Sequence, residues 1–304
     1  MKNRIKTGLG KTTHCGLLVG LSLLSTTAMA TVISSQSNAY GLGVNLEIDI
    51  ESVAVAQANA TLPVLLQQTA PSAYDMSNSG LSLATNITTT LSEIQDVSVF
   101  ASAGVFSGQI ISDTDGNAGN RTTSAYSEVS SLALSVTDTT FPLDLSALLE
   151  ICSTTLNSYA EVSGDWNTFT ATGSSMIEDL SIFFLGEQVD LIAEGISVDV
   201  LAGSTPNFQL IDFAGVAGLN LILNQQVSQC AMPGYCSMEV NALRFIFEGV
   251  SLLDAGIDGL INGEIIISHS YANMSGIPAS PVNAPTAIYM LIMATALSVI
   301  RAKR

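Results

Sequence analysis

The sequence predicts an all-β protein: a β-sandwich or irregular β-solenoid body, with an N-terminal signal helix and a C-terminal hydrophobic helix. Three observations carry this. Apolar residues alternate with small or polar ones at period two, as at Val97/Val99, Leu132/Leu134 and Leu180/Ile182, and that period belongs to strands with one buried face. Thr and Ser are enriched throughout, which suits half-exposed pleated positions. Both ends of the chain are apolar runs flanked by cations, unlike anything between them.

Residues 1–30 read as a secretory signal peptide. Lys2, Arg4, Lys6 and Lys11 form its basic start, residues 16–24 its apolar stretch, and Ala28-Met29-Ala30 the small-residue pattern that a signal peptidase cleaves. The apolar stretch is too short to span a bilayer. Cys15 precedes it, so this is not a lipoprotein signal.

Residues 31–276 form the exported body. Its charge is one-sided: all 26 acidic residues fall between Glu47 and Glu264, against only Arg121 and Arg244, so residues 31–280 carry a formal charge of −24. Such a surface repels phosphate, which excludes nucleic acid as a partner. Hydrophobic residues make up 47% of the chain, enough to bury a core.

Within the body one pattern recurs: apolar, two mostly polar residues, apolar, any residue, apolar. It occurs at Ile94–Val99, Val129–Leu134 and Ile177–Ile182, and more loosely at Val240–Phe245. The spacings of 35, 48 and 63 residues are too uneven for a strict repeat, but they suggest similar strands in one sheet system. Asp115-Gly116, Asp258-Gly259 and Asn262-Gly263 are expected at turns. The stretch from Leu143 to Tyr159 admits a helix, with Leu145, Leu148, Leu149 and Cys152 on one face, or a strand.

Residues 277–304 combine a Pro-containing linker, a hydrophobic helix and a basic tail. The apolar run opens at Thr286 and ends at Ile300, and Arg301, Lys303 and Arg304 follow. As a helix it reaches roughly 22 Å, short of the ~30 Å hydrocarbon core. The basic end stays cytoplasmic by the positive-inside rule, so the inner membrane is an expected partner before processing. This tail resembles the PEP-CTERM class of sorting signals, with Val282-Asn283-Ala284-Pro285 as its motif, although the Pro-Glu-Pro of the commonest form is missing. The resemblance implies an exosortase-type processing enzyme that removes the tail and passes the body to the cell surface.

The body's ordered phrases resemble the choice-of-anchor P family of exported bacterial proteins. They are Ala39–Leu46, Pro206-Asn207, Leu223–Gln226, Val240–Leu243 and Ile267–Ala272. The resemblance spans about residues 38–274. It implies a β-rich exported domain and brings no catalytic residues with it.

Chemistry is sparse. His269 is the sole histidine after the signal peptide, in a strand-like context, and no Gly-x-Ser-x-Gly elbow occurs in the body. It reads as structural. Cys230 and Cys236 flank a Pro233-Gly234 turn and are the best disulfide pair, leaving Cys152 free and buried; pairing of Cys152 with either is the alternative. Asp113, Asp115 and Asn117 place oxygens at alternate positions, as in a calcium loop, or else form a plain Asp-Gly turn. Calcium is thus the one cofactor the sequence admits. Acidic pairs such as Glu178-Asp179 are expected by chance, and Trp166 is the sole Trp. The expectation is a non-catalytic structural or matrix protein, exported and surface-anchored or released. The alternative is a binding module for calcium, glycan or a protein partner.

Overall fold

The computed structural model describes residues 31–50, 54–62, 66–92, 95–117, 119–138, 147–166, 168–251 and 259–278. The signal region, Ala28 and Ala30 among it, and the tail from Val282 to Arg304 lie outside these residues. Ala30–Pro278 forms one compact unit.

Strand β1 (Thr31–Ile50) is followed by β2 (Ala54–Leu62) and β3 (Leu66–Thr69). Next come β4 (Tyr74–Ser92), β5 (Gln95–Ser112), β6 (Arg121–Asp138) and β7 (Leu149–Gly164). Then β8 (Thr170–Glu178), β9 (Ser181–Phe184) and β10 (Glu187–Gln188) complete the middle of the chain. A helical turn α1 (Val198–Leu201), strand β11 (Phe208–Leu210) and a 3-10 turn (Phe213–Gly215) lead to β12 (Leu219–Gln229), β13 (Tyr235–Ser251) and β14 (Gly259–Ile277).

These strands form two seven-stranded sheets. One runs β11-β12-β13-β14-β1-β2 with β3 also on β1; the other runs β10-β9-β7-β6-β5-β4 with β8 also on β7. Every pairing is antiparallel. The sheets face one another across a shared apolar cluster to which β1, β13 and β14 contribute from one side and β6 and β7 from the other. The architecture is therefore a sandwich rather than a solenoid of stacked parallel coils. The first and last strands of the body pair centrally, from Thr31↔Ile277 to Ile50↔Gly259.

Two local expectations meet the structure differently. From Leu149 to Tyr159 the chain is strand, with Leu149, Ile151, Leu156 and Ser158 all buried, and Thr154-Thr155 fits the pleat. Asn262-Gly263 is not a turn but lies inside β14. Gly263 has φ +119, and a Cβ there would lie 2.0 Å from the Asn45 carbonyl oxygen, so glycine serves a close approach of β1.

A line of kinks crosses both sheets. In β14 the inward residues are Ile261, Ile265 and Ile267, then Ser270, Ala272 and Met274, so the phase slips by one at Ser268, which is left-handed at φ 55. The same slip separates Val240 and Ala242 from Leu243 and Phe245 in β13, and Ala39 from Leu42 in β1. Neighbouring strands skip in register: Tyr40↔His269 is followed by Leu42↔Ile267, Asn241↔His269 by Leu243↔Ile267, and Gln225↔Asn241 by Leu223↔Leu243. The skipped residue of β12, Asn224, is also left-handed at φ 50. In the other sheet Ser131 of β6 (φ 53) and Asp179 between β8 and β9 (φ 51) are left-handed too, and the β6–β7 register skips at Ser131. Left-handed backbone costs a non-glycine residue about 1–2 kcal/mol, so so many in one line mark a concerted bend rather than scattered irregularities.

The recurring sequence pattern is this kink. In Val129–Leu134 and Ile177–Ile182 the inward residues are three apart where the pattern begins and two apart where it ends, and in Val240–Phe245 Ala242 is buried besides Val240, Leu243 and Phe245. The residue just before the second apolar position is Ser131, Asp179 or Ala242. The first copy opens at Ile94, outside the described residues, and continues along β5 from Gln95.

The kinks divide the interior by size. On one side lie Leu132, Leu134, Ile151, Leu221, Phe245, Ile265 and their neighbours. On the other side a smaller cluster holds Val32, Val162, Met238, Val240 and Met274, and next to the β14 kink serines face one another. Ser158 and Ser270 hydroxyls meet at 2.8 Å, the Ser268 hydroxyl donates to the Ser127 carbonyl at 2.9 Å, and the Ser127 hydroxyl donates to the Tyr40 carbonyl at 2.8 Å, all between sheets. Gly173 of β8 makes room for a larger partner, because a Cβ there would lie 2.1 Å from the Met238 methyl carbon.

Candidate functional site

His269 sits at the kink, on the outer face of its sheet, in the row Gln225–Asn241–His269–Tyr40. Its Nδ1 lies 2.6 Å from Asn241 Oδ1 and its Nε2 3.0 Å from the Asn38 side-chain amide. Tyr40 stacks on the imidazole with centroids 4.3 Å apart. Asn241 Nδ2 donates to Gln225 Oε1 at 2.7 Å, which fixes its amide and makes His269 Nδ1 the donor to Oδ1. Burial holds the ring neutral, with its pKa down from 6.5 to about 4. Burial, and then the nearby Glu239 and Glu264 carboxylates, push the Tyr40 hydroxyl well above its usual range. Arg244 pairs with Glu264 at 2.6 Å and reaches Gln225 Oε1 at 3.3 Å. Both ring nitrogens of His269 thus face asparagines, while Ser268 and Ser270 turn inward.

Asp113, Asp115 and Asn117 come together in the β5–β6 loop. Asp113 Oδ1 accepts the Thr122 backbone N–H at 2.6 Å. Asp115 accepts the Asn117 backbone N–H at 3.0 Å and its side-chain amide at 2.9 Å, and pairs with Arg121 at 2.7 Å. These donors, Asn117 first, hold the Asp115 carboxyl down at about 2. The loop's acceptors are thus engaged by the chain's own donors.

Cys230 and Cys236 are joined in a disulfide, as their spacing suggested. Gly234, inside that loop, lies under Trp166 from the β7–β8 turn: a Cβ there would be 2.6 Å from Trp166 Nε1. The indole also covers Gly276 of β14, so Trp166 fastens a turn of one sheet onto the end of the other. Cys152 is free and only partly buried on β7.

Elsewhere on the sandwich, Tyr126 and Tyr159 are cross-strand partners on β6 and β7, and each donates its hydroxyl to a glutamate two residues on, Glu128 and Glu161. Burial, then the Glu161 carboxylate, raises the Tyr159 hydroxyl to about 12.

A groove of about 580 Å³ opens between the β9–β10 hairpin and the 3-10 turn. Phe184, Val189, Ala214 and Val216 give it apolar walls; Glu187, Asp190 and Glu194 give it carboxylates. Sequence reading passed over these residues. The available signal was residues 184–216, which hold five acids and no Lys, Arg or His.

Among the described residues, no group of three His, Cys, Asp or Glu is arranged to hold a metal ion. No described helix is long and apolar enough to cross a membrane, and residues 286–300 lie outside the description. No protein-family model and no curated protein matches the chain.

Proposed function

We propose that this chain is an exported, non-catalytic structural or matrix protein. It is routed by its N-terminal signal and C-terminal tail and is displayed at, or released from, the cell surface. The observation that carries the reading is the position of the body within the chain. Its first strand opens at Thr31, directly after the Ala28-Met29-Ala30 pattern, and its last ends at Ile277, before the Pro-containing linker. The Cys230–Cys236 disulfide supports an oxidising compartment outside the cytoplasm. Strands of up to 20 residues, about 66 Å at ~3.3 Å per residue, suit a spacer or matrix unit. The tail's likeness to PEP-CTERM signals and the body's likeness to the choice-of-anchor P family point the same way.

Two experiments test this reading. Protease applied to intact cells of the native host should degrade the protein while a cytosolic marker survives. A hydrolase panel on the purified protein should show no turnover; turnover abolished by His269→Ala would defeat the non-catalytic reading.

A further inference from the structure

Beyond that structural role, we infer that the groove beside the β9–β10 hairpin binds a small organic cation with an apolar stem, of the alkylammonium class. Its two walls are pre-formed. The hairpin wall is set by the Val189 N–H donating to the Ile182 carbonyl at 2.9 Å. The opposite wall is anchored by fully buried Phe213, edge-on to Phe245 with centroids 6.1 Å apart. It is tied further by the Gly218 N–H, which donates to Asp212 Oδ1 at 2.8 Å. A volume of about 580 Å³ falls within the range of small-molecule sites.

The lining selects the charge and the shape. Asp190 is occupied, its Oδ1 accepting the Ile192 and Ala193 N–H groups at 3.1 Å each. The Glu187 and Glu194 carboxylates have no hydrogen-bond or ion-pair partner among the described residues, and no basic residue lines the groove. Arg121 and Arg244, the only basic residues described, are paired with Asp115 and Glu264. The groove therefore repels anions. Two free carboxylates beside an apolar floor make a poor seat for a bare metal ion, which needs more oxygen ligands than these. An ammonium head on an alkyl stem satisfies both surfaces: the carboxylates take the charge, and Phe184 with Val189 and Val216 take the stem.

Calorimetric titration of the full chain with n-hexylammonium, 1-hexanol and hexanoate tests this. Millimolar binding of hexylammonium is expected, at least tenfold tighter than hexanol, with no binding of hexanoate. Glu187→Gln/Glu194→Gln should weaken hexylammonium at least tenfold. Glu128→Gln/Glu161→Gln, which removes the same charge from β6 and β7 outside the groove lining, should change it less than twofold. Equal binding of hexanol and hexylammonium, equal losses in the two double variants, or no hexylammonium binding would each overturn the inference. None of these outcomes bears on surface display.

Discussion

The hydroxyls of Ser158 and Ser270 meet at 2.8 Å across the sandwich, one from each sheet, and both residues are fully buried. The contact holds because serine faces serine at this point of the interface, with no room for a longer side chain between them. Ser270→Leu should therefore be more damaging than a loss of hydrogen bonds. Overpacking of a closed interface costs about 1–3 kcal/mol, while Ser158→Ala should cost about 1 kcal/mol. Urea midpoints order the two variants, and equal midpoints would deny that the sheets are close here.

The kink line predicts opposite signs for two substitutions at one residue. Ser131 is exposed and left-handed at φ 53. Ser131→Gly should stabilise by up to about 1 kcal/mol by relieving the backbone, and Ser131→Val should destabilise by a similar or larger amount. Thermal unfolding of both reads the sign.

His269 makes stability depend on pH. Its folded pKa is lowered to about 4, against about 6.5 unfolded, so the unfolded chain binds the extra proton first as pH falls. The contribution is present above pH 6.5 and is lost between 6.5 and 4, amounting to roughly 3 kcal/mol at full extent. The loss between pH 7 and pH 4.5 should be clearly smaller in His269→Gln than in the natural chain. Parallel curves would mean the ring is not held neutral by burial.

Reduction tests the fastening at the far end. The disulfide closes a short loop, so reducing it should cost about 2 kcal/mol. Trp166→Ala uncovers Gly234 and Gly276 and should lower the melting temperature further, with the disulfide intact. A Trp166→Ala variant as stable as the natural chain would remove the indole from its role.

Calcium should leave the melting temperature unchanged, because Arg121 and Asn117 already occupy the Asp115 carboxylate. A calcium-dependent rise abolished by Asp113→Ala/Asp115→Ala would restore the cation reading of the loop.

Much of this was legible in the sequence. The β class followed from period-two alternation, and the disulfide from six-residue spacing over Pro-Gly. The recurring three-then-two step was visible too, but its meaning was not: a strand reading expects strict alternation, and only the paired slips at Ser131, Ala242 and Ser268 reveal a bend shared by neighbours. Asn262-Gly263 misled because an Asn-Gly pair serves a close strand approach as well as it serves a turn. The groove was hidden because its walls, near Glu187 and Val216, are brought together only by the fold.

Intact-mass measurement of the protein recovered from its native host tests the exported reading most directly. The expected species begins at Thr31 and ends before the apolar run that opens at Thr286, with residues 230 and 236 still disulfide-linked. A full-length species recovered from the cytosol, retaining both Met1 and Arg304, would contradict it.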